Sequence, residues 1–444
     1  MSSDDWSSKV ESAVATVVGK IPTIGTGVKV LVELFWPSSG EDIWSQIKDE
    51  VAALIDEKIL AAELDERQET LDGLNTSLQQ YCSALDTEKG SLMSAMLVSI
   101  NSLYSELTES DNALHLVPIT VSLAHLHLTL LRERYSHGEE MYGEDNTVVW
   151  ESELNDQYDN YKAFFSSIYP TWQTWRYAQI STNWDTSLVV SIIPHDKAYG
   201  KVSDSVTGES FEYEDDMNSN DDYYKPVMQA SQTRMQNDAN ALMINALAST
   251  AILNQYLPGQ EEAAPVVDDN VATFWMGPYS CATLGSQDDG DYATNVDDTS
   301  GTITQFYIRE WNSIDGVQFK YGGHDGNFIG DSSGGEAHTI DVPAGAYATG
   351  LNMRFAKGLM CSIETAFSDG SSSGELGNRT NWGGNDVAAL PNNSYQLICG
   401  KFKKGSGPSS TQGTSVIELQ FRHEAIEVAS EEMAAKLQAA LKSL

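Results

Sequence analysis

From about Ser7 to Pro258 apolar residues recur at three- and four-residue spacing, and chain breakers are confined to a few places, which predicts long helices. After Pro258 the rhythm changes. The connector GQEEAAPVVDDN leads into short β-branched or aromatic runs separated by Gly, Ser, Asn and Asp, which predict an all-β region from about Val271 to His423. A last segment, Ala425 to Leu444, sets Ile426, Ala429, Met433, Leu437 and Leu441 on one stripe, the pattern of a helix docked on its own protein. The expectation is a multidomain α and β protein: a helical bundle over residues 1–260, a β domain over 271–423 and a short C-terminal helix over 425–444. One stretch of the helical half breaks the pattern. Asp204 to Asp222 holds Glu209, Glu212, Glu214, Asp215, Asp216, Asp221 and Asp222 without a basic residue, and it reads as a solvated acidic loop because the Asp-x-Asp-x-Asp-Gly spacing of a calcium loop is absent.

The most informative run is Ala113 to Leu131, ALHLVPITVSLAHLHLTLL, which has no charged residue and as a helix would extend about 28 Å, close to a bilayer core. Before it lies the uncharged run Ser91 to Ser105, and Glu106 to Asn112 joins the two as a polar turn. Together they predict a helical hairpin whose apolar positions include Leu97, Ile100, Leu103, Leu116, Val121, Leu126, Leu128 and Leu131. Ser91, Ser94, Ser99, Asn101 and Ser102 punctuate the first arm; in lipid such positions suit a water-filled lumen. A helix apolar all round also suits the centre of a soluble bundle, so the run fits a buried core helix as well as a membrane segment. His125 and His127 stand two residues apart and point to different helix faces, so no metal site is expected from them.

Charge narrows the partners. Against 26 basic residues stand 64 acidic ones, and a net charge of −38 repels nucleic acid and anionic lipid. At 444 residues and 41% hydrophobic composition each domain has material for a core. The N-terminus carries acids where a signal peptide has a basic region, so no secretory address is expected, and the anticipated form is soluble and cytoplasmic. Cys82, Cys281, Cys361 and Cys399 lie far apart, a spacing that suits buried thiols better than zinc or a dithiol site. No Gly-x-Ser-x-Gly, His-Glu-x-x-His or P-loop is present; neither enzymatic activity nor a cofactor is expected.

Two stretches resemble a known family. Leu126-His127-Leu128, Leu130-Leu131-Arg132 and a Gly-containing turn at Gly138 resemble the central-helix signature of the three-domain insecticidal crystal δ-endotoxins. Ile21 to Ile59, with Trp36-Pro37 and the Leu-Ile-Asp-x-Lys-Ile run at Leu54–Ile59, looks like that family's first helices. The resemblance implies a crystal-stored form and, at a target-cell membrane, a bundle that inserts the hairpin through His127 and its neighbours and assembles as a homo-oligomer into a cation-permeable pore. Ser187 to Tyr224 departs from the family, and the last bundle helix is expected near Pro226–Leu257.

In the β half, Ile314-Asp-Gly-Val-Gln-Phe319 with Tyr321 resembles the jacalin-related lectins, whose fold is a β-prism of three four-stranded sheets. That resemblance implies sugar binding by an N-terminal glycine loop, here at Gly277 and Tyr279, and by a late Gly-x-x-x-Asp loop. The late loop reads Gly413-Thr-Ser-Val-Ile417 and lacks the carboxylate. Two further turns offer hydroxyl-binding side chains: Asp331 with Gly334 and Gly335, and Asn378 to Asp386, which includes Asn381 and Trp382. The sequence therefore supports two functions. One is a pore-forming toxin that binds a cell-surface glycan or glycoprotein through its prism; the other is a carbohydrate-binding lectin with a helical scaffold and no pore.

Overall fold

The computed structural model describes residues 9–10, 13, 23–37, 46–47, 57–110, 112–189, 195–215, 221–280, 295–296, 301–378, 384–391, 394–406 and 412–424. The expected C-terminal helix, and Asn381 and Trp382, lie outside them. The chain forms two compact units, one of Asp4–Tyr177 with Leu242–Ala272 and one of Ala178–Ala241 with Thr273–Glu424.

The first unit is helical. It contains α1 (Thr26–Phe35), α2 (Glu57–Ser83), α3 (Asp86–Glu109), α4 (Val117–Tyr142) and α5 (Thr147–Ala178, which ends on the first residue of the other unit), with a 3-10 helix at Ala248–Tyr256. The hairpin is present, with its corner displaced from the sequence expectation. α3 continues to Glu109, and the corner occupies the residues before Val117, where Pro118 enters at the first turn of α4 and needs no backbone donor. Ala113 to Leu116 therefore lie outside the helix, and the uncharged helical run is shorter than the expected bilayer length. Every residue of α4 from Val117 to Glu133 is buried, the consequence of an apolar surface on all sides of one helix. Gly138 is not a turn: it lies within α4, where the Trp150 ring of α5 packs so closely that a Cβ would fall 2.3 Å from it. The turn comes at Gly143, whose φ of 74° is open to glycine without strain.

The second unit corrects the expectation of an unbroken helical half. Ile180–Val189 (β1), His195–Asp204 (β2) and Ser210–Asp215 (β3) pair in order as an antiparallel sheet. Ile180 and Val202 from this sheet pack with Met228 and Met235 of α6 (Asp221–Leu247), and Trp184 and Phe211 close the cluster. The acidic stretch is thus partly strand and partly helix, and Asp204 itself is buried, taking the Thr207 hydroxyl at 2.9 Å to form the β2–β3 turn.

Residues Thr273–Glu424 of this unit form a β-prism of three four-stranded antiparallel sheets. Each sheet is built on a central hairpin: β6 (Ile303–Glu310) with β7 (Ile314–Tyr321), β10 (Ala348–Ala356) with β11 (Leu359–Phe367), and β14 (Tyr395–Ser406) with β15 (Gln412–His423). Outer strands complete them. β8 (Ile329–Gly330) and β9 (Glu336–Asp341) flank the first, β12 (Leu376–Gly377) and β13 (Asn385–Ala389) the second, and β4 (Thr273–Ser280) and β5 (Asn295–Val296) the third. Alternate residues turn inward, as a sheet solvated on one face requires, and meet on the axis. There Phe319 lies edge-on to Phe306 at 5.1 Å and to Phe402 at 5.2 Å, and the Tyr321 hydroxyl donates to the Ile398 carbonyl at 3.1 Å.

Candidate functional site

The hairpin presents two unlike surfaces. On α3, Leu97, Ile100 and Leu103 are buried against the bundle, while Ser91, Ser94, Ser99, Asn101 and Ser102 face solvent, so the polar punctuation falls on one side. On α4, Leu116 at the corner and Val121, Leu126, Leu128 and Leu131 are all buried. Among the described residues no helix is long and apolar enough to cross a membrane by itself.

The buried helix is nonetheless fastened by polar groups. His125 Nδ1 lies 3.2 Å from the Tyr256 hydroxyl and its Nε2 lies 3.1 Å from Ser249 Oγ. One turn on, Thr129 donates to the same tyrosine at 3.3 Å, and Arg132 pairs with Glu261 at 2.5 Å. Spacings of four and three residues place these groups on a single face of α4, directed at the segment from Ser249 to Glu261. His127 points elsewhere, to the Tyr161 hydroxyl of α5 at 3.2 Å. Burial pushes both histidines down to about 3, so each is neutral in the folded bundle at physiological pH.

In the prism the expected ligand residues are scattered. Tyr279 is buried and donates to Asp238 of α6 at 2.8 Å; Gly277 gives its carbonyl to the Asn237 amide at 2.8 Å. Both are covered by α6 within the same unit, so this pair is not an open glycine loop. Gly413 is also not a loop residue, being buried in β15 opposite Gly405. Asp386 is exposed and paired with Arg354 at 2.8 Å beside a groove of about 290 Å³ lined by Asn352, Ser362 and Glu364. The Asp331 turn is open. Ser333 donates its amide and its hydroxyl to Asp331, which holds that carboxyl below the usual range, and Arg309 binds the carbonyls of Gly334 and Gly335.

Sequence reasoning missed Trp311. It stands at the tip of the β6–β7 hairpin, 71% exposed, and Glu310↔Glu336 pairing sets that tip beside the Asp331–Gly335 turn. The signal was a large aromatic in a turn sequence, Glu-Trp-Asn-Ser, where no core demands it. Neighbouring tips converge there: a Cβ on Gly413 would lie 2.7 Å from the Ile314 carbonyl, and one on Gly405 would lie 3.5 Å from the Gly358 carbonyl.

Comparison with known proteins finds a likeness for much of the helical half. Residues 13–186 match the delta endotoxin, N-terminal domain, family. That match lies within the helical half and takes in less than half of the chain. The chain is also 30% identical over 169 residues to pesticidal crystal protein Cry19Ba of Bacillus thuringiensis subsp. higo. That match takes in 34% of this chain and 25% of the relative, so it spans about a quarter of the relative's length. The delta endotoxin likeness extends to fold. PirB superposes with a TM-score of 0.57 at 13% identity, covering 95% of this chain and 94% of that one. The insecticidal delta-endotoxin Cry8Ea1 of Bacillus thuringiensis gives 0.58 at 14% identity, over 96% of this chain and 74% of that one. For insecticidal crystal protein Cry7Ca1 of the same organism the values are 0.59 and 14%, over 95% and 76%.

Proposed function

We propose that the protein is a non-enzymatic pore-forming toxin whose prism holds a glycan or glycoprotein on a target cell while the α3–α4 hairpin leaves the bundle and enters the membrane. The observation that carries this reading is α4, a helix buried from Val117 to Glu133 inside a domain of the delta endotoxin type. The names of its relatives, pesticidal and insecticidal crystal proteins, support an invertebrate target and a stored, soluble starting form. Because no described helix spans a bilayer alone, the hairpin is expected to act in a homo-oligomer, with the serine-rich face of α3 toward water and the apolar faces toward lipid and neighbours. Trp311 and the Asp331–Gly335 turn form the proposed receptor contact, an exposed ring beside fixed polar groups.

The short uncharged run in α4 favours one rival, a lectin whose helices are only a scaffold. Dye release from liposomes made with target-cell lipid extracts separates the two. A cysteine pair tying α3 to α5 near Tyr104 and Tyr161, whose rings lie 4.9 Å apart, is expected to stop release and leave cell binding intact. Release that survives the tie sinks hairpin insertion; binding without release from the untied protein supports the lectin.

A further inference from the structure

Two buried charged side chains grip one peptide unit near the start of α1. Lys89 of α3 is 6% exposed and donates to the Ile24 carbonyl at 3.0 Å. Glu133 of α4 is fully buried and accepts the Gly25 amide at 2.5 Å. That carbonyl and that amide belong to the same peptide bond, so the two arms of the hairpin hold opposite edges of a single plane. Tyr81 of α2, itself buried, donates its hydroxyl to the same Glu133 oxygen. Gly25 is the N-cap of α1 and has no side chain with which to cap it; Glu133 takes that part from another helix, placing an acid at the positive end of the α1 dipole.

We propose that the Ile24–Gly25 peptide is a clasp, gripped by Lys89 and Glu133, that pins α1 across both arms of the hairpin and must open before the hairpin can leave the bundle. The grip is placed where hairpin movement would break it first: separating α3 from α4, or either from α1, costs a buried charge its partner. Its role as a brake rests on the pore reading above, whereas its existence as a clasp does not.

The clasp also responds to pH. Burial pushes the Glu133 carboxyl above its ordinary range, against the hydrogen bonds of Tyr81, Gly25 and Val28 and the nearby His137, which pull it down. Facing it from the other helices are Tyr81 and Cys82 of α2, Lys89 of α3 with its partner Asp86, and Lys29 and Glu33 of α1. A buried carboxyl whose folded value is raised stabilises the fold fully below the ordinary carboxylate range, and that contribution is lost as pH rises through the raised value. Rising pH therefore loosens the clasp.

Hydrogen exchange on the full chain tests it, with release from target-lipid liposomes measured beside it. K89M and E133A are expected to speed exchange of the amides from Gly25 to Val28 at least tenfold and to hasten release. In the wild type, exchange corrected for its intrinsic rate should rise with pH; E133Q keeps an acceptor for Gly25 but has no proton to lose, and its profile should be flat. Circular dichroism checks folding, and if E133A does not fold, E133Q and K89M decide. Unchanged exchange in K89M, or an E133Q profile as steep as the wild type, overturns the clasp. Faster exchange with wild-type release overturns the brake. Absence of release from every protein sinks the pore reading instead and leaves the clasp to be judged on exchange alone.

Discussion

His125 of α4 and Tyr256 of the 3-10 helix meet at 3.2 Å in the interior of the helical unit, and Thr129 shares the same hydroxyl. One tyrosine oxygen thus meets two polar groups of a helix whose buried run is mostly apolar. Y256F removes that oxygen and takes the partner from His125 Nδ1 and from the Thr129 hydroxyl in a dry site, leaving His125 its bond to Ser249. The expected loss is about 1–3 kcal/mol of unfolding free energy, read from the urea midpoint at constant slope. A midpoint within error of wild type would mean that water reaches the seam.

Acid should unfold the helical unit through His125 and His127. Their values in the folded state, about 3, lie below the ordinary 6.5, so the bundle prefers them neutral. Stability from this source is complete above 6.5 and is lost as pH falls toward 3, by roughly 1.4 kcal/mol per unit of pH and per histidine. Thermal unfolding between pH 7 and 4 should show the decline, and H127N should make it shallower. Because Glu133 works in the opposite direction, a slope smaller than the two histidines require is expected from the wild type and a steeper one from E133Q.

Gly138 has no room for a side chain. G138A pushes a methyl group into the Trp150 ring, and overpacking of this kind costs about 1–3 kcal/mol. The loss should shrink in the double variant G138A/W150L, where the ring is gone; equal losses in the two backgrounds would place the strain elsewhere.

Removal of Trp311 should separate binding from folding. W311A exposes less apolar surface and breaks no packing, so its melting temperature should match the wild type to within the effect of about 0.5 kcal/mol. Binding to target cells should fall at least tenfold. D331A is expected to weaken binding less, since it loosens a turn that Arg309 still holds. Unaltered binding in both would move the receptor contact to another face, the Asp386 groove being next to test.

How far the sequence foretold this structure varied with the range of the signal. The run from Val117 to Leu131 is legible as a helix shielded from water on every side, although that pattern suits a membrane segment as well as a core. The prism is legible for a similar reason, through alternating residues such as Val317, Phe319 and Tyr321. β1 to β3 are not. Among the described side chains the inward ones are Ile180, Trp184, Val202 and Phe211, and the partners that bury them are Met228 and Met235 of α6, so the signal for these strands lies in another element. The polar seam on α4 is hidden because its partners lie 124 to 131 residues downstream. The lectin resemblance implies loops at Gly277, Tyr279 and Gly413, but a resemblance does not distinguish an open turn from a covered strand: Asn237 and Asp238 cover Gly277 and Tyr279, and Gly413 pairs with Gly405 inside the sheet.

The repeated plan of the prism has a consequence for how such a protein diversifies. Strand pairing and the ring of phenylalanines on the axis fix the frame, while the hairpin tips contribute little to either. A substitution of Trp311 is therefore expected to be nearly neutral for folding and, on the receptor contact proposed above, decisive for binding. On that proposal, what the prism binds can change at its tips while the architecture beneath stands still.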